Sequence, residues 1–125
     1  MAGPAAAAER AVCTKVKTPL ERGVAGLMAL AVVASDGTKD EIDDARIESS
    51  ARLLDLFAAA TAASQASTTG ALRTAFANLA SVARRQANQI RTVKSAYPEL
   101  VLQAADTTAL EGAVNKLEPY CGRYW

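Results

Sequence analysis

The sequence predicts an all-α protein: an up-down-up-down antiparallel four-helix bundle whose first helix is kinked or broken near Pro19. Three observations carry this expectation. First, residues 71–96 read ALRTAFANLASVARRQANQIRTVKSA. They and the next residue place Leu72, Phe76, Leu79, Ala83, Gln86, Ile90, Val93 and Tyr97 at alternating steps of four and three. That spacing is one stripe of an α-helix, and nothing breaks it before Pro98. Second, half the residues are hydrophobic, alanine dominates and only 5% are aromatic. Such a composition favours close-packed helices with narrow seams over a bulky core. Third, Val and Ile never alternate over a long run, so strands are not supported. A length of 125 residues suits a single domain, 1–125.

The first helix is expected over about 5–35. Pro4 suits a first helical position and Ala5–Ala8 are strong helix formers. Cys13, Val16, Leu20, Val24, Leu27, Ala31 and Ala34 continue one stripe through Pro19. Thr18-Pro19-Leu20-Glu21 resembles a capping box with proline first, so two collinear segments, 5–17 and 19–35, are expected to act as one rod. A single helix kinked at Pro19 would lose a bond and clash, at about 3 kcal/mol. Gly37 is placed as the helix stop.

Thr38-Lys39-Asp40-Glu41 opens a second helix, 39–63, as a capping box, and Asp40, Glu41, Asp43 and Asp44 suit the positive end of its dipole. Its inner stripe is Ile42, Ala45, Ser49, Leu53, Leu56, Ala60 and Ala63, widened by Ile47, Leu54 and Phe57. Ser64–Gly70 is the clearest loop, and Thr68 or Thr69 can cap a third helix, 69–96, that ends where Tyr97 precedes proline. The fourth helix, 99–118, carries the stripe Leu100, Ala104, Thr107, Leu110, Val114 and Leu117. Asp106-Thr107-Thr108 can reset it, and Pro119 is expected to end it before an aromatic tail, 119–125.

The chain contains no histidine. This removes Ser–His and Cys–His catalytic pairs, imidazole zinc sites and the Glu-x-x-His pairs of di-iron bundles. Two cysteines do not complete a structural zinc site. The acidic stretch Asp36–Asp44 fails the calcium-loop pattern, because Glu41 stands where glycine is needed. No catalytic residue, metal or cofactor is called for.

Cys13 and Cys121 are the only cysteines. In an up-down bundle the first helix starts and the fourth ends at the same end, so the two are expected to form a disulfide. That implies an exported protein; two buried thiols in a cytoplasmic protein are the alternative. Met1-Ala-Gly-Pro lacks the basic and long apolar regions of a signal peptide, so Met1 is read as a start placed on a mature chain. The longest apolar run, Val24–Ala34, is too short to span a bilayer.

Residues 39–57 carry six acids and three bases, whereas 68–97 carry Arg73, Arg84, Arg85, Arg91 and Lys94 with no acid. The two helices are expected to pair through these charges. Arg84, Arg85 and Arg91 form a candidate basic face, but nucleic acid is not the expected partner, since net charge is only +1 and no aromatic is interleaved for stacking. Gln86 interrupts the apolar stripe, as a ligand contact or a residue that fixes helix register. Met28, Tyr97 and Tyr120 are candidate contacts for a small apolar ligand, lipid or haem, between helices. Tyr120, Tyr124 and Trp125 either plug one bundle end or meet a protein partner. The expectation is therefore a non-enzymatic, exported binding or interaction bundle, monomeric or weakly dimeric, with the apolar-ligand carrier as the alternative.

Overall fold

Four helical arms lie side by side in a computed structural model that describes residues 3–125; the reading of Met1 lies outside them. Helix α1 spans Pro4–Asp36, α2 Lys39–Ala66 and α3 Gly70–Thr92; the fourth arm is α4, Pro98–Ala104, followed by α5, Thr108–Cys121, and a 3-10 turn, Gly122–Tyr124. No strand occurs among the described residues. The contacts fix antiparallel neighbours. Ser50 donates to the carbonyl of Ala87 and Ser64 to that of Arg73, joining α2 to α3. Gly26 faces Ser49 across α1 and α2.

Helix α1 is continuous, and the break expected near Pro19 does not occur. Proline removes one bond of the ladder, about 3 kcal/mol with its clash. Val16 and Leu20, on either side of it, are both buried in the core, so packing holds the helix on both sides of the missing bond. Gly23 and Gly26 are buried where α2 comes close; a Cβ at Gly26 would lie 3.1 Å from Cδ of Arg52. Gly37 does end α1, but with an extended backbone rather than the left-handed stop. Its N–H donates to the carbonyl of Val33 at 2.6 Å, and a Cβ there would sit 2.7 Å from that oxygen. Close approach, not positive φ, is why glycine fits.

The capping box of α2 forms as expected: Glu41 N–H donates to Thr38 Oγ1 at 3.2 Å, and Thr38 N–H to Glu41 Oε1 at 2.9 Å. Two backbone donors are thereby satisfied reciprocally. The inner stripe is buried or half-buried along its length, but Ile47 is 71% exposed and does not widen the core. The buried face of α3 is Leu72, Phe76, Leu79, Ala83, Gln86 and Ile90.

Helix α3 stops at Thr92, four residues before the expected end, and Tyr97 is 56% exposed instead of continuing the stripe. The cause lies on α2. The Arg46 guanidinium donates to the carbonyls of Ile90 at 2.9 Å and Arg91 at 2.8 Å, and to Ser95 Oγ at 2.9 Å. These carbonyls belong to the last turn, where no backbone donor is available within the helix. Ser95 in turn donates to Asp43.

The fourth arm is two helices, not one. Asp106 accepts from the N–H and hydroxyl of Thr108 at 2.8 and 2.7 Å, which starts α5 afresh. Val101, rather than Leu100, faces the core. Pro119 does not end α5, which runs on to the buried Cys121. Cys13 and Cys121 are joined in a disulfide with Cα atoms 5.3 Å apart. Closing a loop of this length stabilises by about 4–5 kcal/mol in the chain-entropy account.

Candidate functional site

Among the described residues the core between the helices is filled by large apolar side chains. Leu27, Leu30, Leu53, Leu56, Phe76 and Leu79 are fully buried and meet in one continuous core. The hollows lie on the surface, between pairs of helices.

One of about 600 Å³ is a groove between α2 and α3. From α2 come Phe57, Thr61, Ser64 and Gln65; from α3 come Ala77, Ala80, Ser81, Arg84, Arg85 and Asn88. Its geometry follows from the antiparallel register. Phe57 is half-buried at the edge of the α2 stripe, and the guanidinium carbon of Arg84 lies 5.4 Å from its ring centroid. That is cation–π distance, and it holds the long arginine side chain against the helix pair. No carboxylate lines the groove. The candidate basic face is thus two-thirds in one place: Arg84 and Arg85 line the groove, while Arg91 is exposed beyond it.

The expected charge pairing of α2 with α3 is absent among the described residues. The acids of α2 that form ion pairs do so on their own helix: Asp43 with Lys39 and Arg46, and Glu48 with Arg52. The other ion pair joins Arg123 to Glu9. Intrahelical partners three or four residues away are already at contact distance. An acid and a base on adjacent helices meet only where both face the seam, and that seam is apolar. The arginines of α3 are therefore left unpaired.

Gln86 is buried, and its side-chain amide donates to the carbonyls of Ala104 at 3.0 Å and Asp106 at 2.7 Å. It ties α3 to the α4–α5 junction.

The residues suggested for an apolar ligand do not converge. Met28 is 61% exposed on α1, beside Leu102 of α4 in a surface hollow of about 470 Å³. Tyr97 precedes α4 and Tyr120 lies near the end of α5, so they stand at opposite ends of the fourth arm. Tyr120, Tyr124 and Trp125 pack against the core, and the Trp125 indole N–H donates to the carbonyl of Cys13 at 2.9 Å. The tail therefore folds back over the bundle end that the disulfide closes.

Sequence reasoning missed the Asp43–Arg46–Ser95 cluster, because its members are separated by up to 52 positions. It pairs a serine with a carboxylate, but its chemistry is that of a cap. Hydrogen bonds from Ser95 and then Lys39, with the nearby Lys39 and Arg46 charges, hold the Asp43 carboxyl below the usual carboxylate range. A carboxylate so stabilised is a poor proton acceptor.

No family model matches the chain, and neither a curated protein nor a solved structure does. Among the described residues, no group of three or more Cys, Asp or Glu is placed to hold a metal, and no helix is long and apolar enough to cross a membrane.

Proposed function

We propose that this chain is a non-enzymatic, exported binding protein, monomeric or weakly dimeric, that acts through its outer surface. One observation carries the reading: the core is filled by fully buried leucines and Phe76, while a ligand-sized groove lies outside, beside Arg84 and Arg85, which have no ion-pair partner among the described residues. A carrier of lipid or haem needs an enclosed apolar cavity, and pockets of that kind bury most of their ligand. The absence of histidine in the sequence supports a non-enzymatic role. The disulfide supports export, since such bonds persist in oxidising compartments.

Two measurements test this. Titration with a neutral apolar dye, 1-N-phenylnaphthylamine, should give no saturable fluorescence rise; saturation at one site would restore the carrier. Freshly purified, non-reduced protein should take up no alkylating reagent by intact mass. Two alkylated thiols would remove the case for export.

A further inference from the structure

We infer that the α2–α3 groove docks an acidic amphipathic helix of a protein partner; this rests on the surface-acting reading above and names the partner class. The first support is charge. Helix α3 carries Arg73, Arg84, Arg85 and Arg91 and no acid, and none of the four is in an ion pair among the described residues. Leaving arginines uncompensated costs little while water covers them, and it provides electrostatic attraction for an acidic partner.

The second support is the arrangement of the walls. Phe57, Ala77 and Ala80 give the groove an apolar floor, and Arg84 and Arg85 give it a cationic edge. From Ala77 to Asn88 the α3 wall extends about 16 Å, three helical turns. An apolar strip beside a charged rim is the complement of a helix whose Leu-type residues recur at i, i+3, i+4 and i+7 with Glu or Asp alongside. Arg84 is already held on Phe57, so less side-chain freedom is lost on binding. The apolar ridge also continues along α2: Leu54 lies three residues before Phe57, and the exposed Ile47 lies seven before Leu54.

Nucleic acid fits the same arginines less well. Phe57 is the one ring that lines the groove and already carries Arg84 on one side, so there is no series of aromatic platforms on which successive bases could stack.

The test uses the full oxidised chain and a blocked, dye-labelled peptide of roughly 18 residues, about five turns. The peptide carries a leucine stripe flanked by glutamates; a second has every glutamate replaced by lysine. Fluorescence anisotropy should show saturable binding of the acidic peptide only, weakened at about 1 M salt, where screening shortens to about 3 Å. Arg84→Glu with Arg85→Glu should weaken binding about tenfold or more, whereas Arg10→Glu with Lys116→Glu, an equal charge change on exposed residues elsewhere, should not. Circular dichroism melting checks that both variants fold. If Arg84→Glu with Arg85→Glu does not fold, Arg84→Gln with Arg85→Gln takes its place and should also weaken binding. Equal binding of the two peptides, no binding of either, an effect shared by both charge-changing variants, or tighter binding of a labelled DNA duplex to the same arginines would each overturn the inference. A chain that excludes the apolar dye and keeps its disulfide but ignores the acidic peptide loses this inference and keeps the preceding reading.

Discussion

Helix α3 and the fourth arm occupy similar lengths of chain, yet only α3 is one helix. The difference is one of phase. Along α3 the buried face steps through Leu72, Phe76, Leu79, Ala83, Gln86 and Ile90 at intervals of three or four. Along the fourth arm it steps through Val101 and Ala105, then jumps five to Leu110 before resuming at Ala113, Leu117 and Cys121. A step of five does not fit one straight helix with a single inner face, so the chain turns at Asp106-Thr107-Thr108 and starts again. A stripe drawn through Leu100 and Thr107 hides that jump, which is why the arm reads as one helix in sequence. The weaker arm is then secured from outside: by the Gln86 amide at its junction and by Cys13 at its end.

The comparison can be broken most severely at that last anchor. Replacing Cys121 with Ser should lower unfolding stability by about 4–5 kcal/mol on the loop-entropy estimate. Urea titration monitored by circular dichroism reads this, and a loss under 1 kcal/mol would show that the arm holds without its staple. Next comes the core itself. Leu79→Ala should cost about 2–5 kcal/mol, as for other buried leucines, because Leu79 is fully buried. Leu102→Ala on α4, where the side chain is exposed, should stay within about 0.5 kcal/mol. Similar losses at both positions would mean that the inner face of α4 is misassigned.

Gln86→Ala leaves two backbone carbonyls at the junction without their donor and should cost about 1–3 kcal/mol. Hydrogen exchange should rise around residues 104–110 while the middle of α3 stays protected. Uniform loss of protection would argue that the two regions unfold together. Gly112→Ala is expected to stabilise α5 by about 0.5–1 kcal/mol, since the helix gains propensity and an added Cβ would meet nothing within 4 Å. A lowered melting temperature would contradict this.

The smallest effect concerns acid. Asp43 has its pKa lowered in the folded chain, first by the Ser95 hydrogen bond. Its contribution is therefore complete above the ordinary carboxylate value, about 4, and is lost as pH falls through the lower folded value. Asp43→Asn should lower stability across the neutral region, where the wild-type contribution is complete, and the gap between the two proteins should close as pH falls, so that the acid limb of the variant is flatter. A wild-type and variant difference that is constant with pH would place the effect elsewhere.

The sequence by itself determined that this is a bundle of helices, where the capping box at Thr38 begins α2, and which residues line the inner faces of α1, α2 and most of α3. Those features depend on spacing and on neighbours three or four residues away, which a linear reading sees directly. It also placed the cysteines together, because up-down connectivity brings the first and last arms to the same end. Tertiary structure decided the rest. Pro19 and Pro119 are kept inside helices because buried residues on both sides, Val16 with Leu20 and Leu117 with Cys121, hold the helix through one missing bond. Arg46 ends α3 from another helix, and the acids of α2 choose partners on their own surface over the arginines of α3. Each of these outcomes is a competition between a local preference of a few kcal/mol and contacts made by residues tens of positions away. The spacing of a stripe does not encode which of the two is larger; the packed seam does.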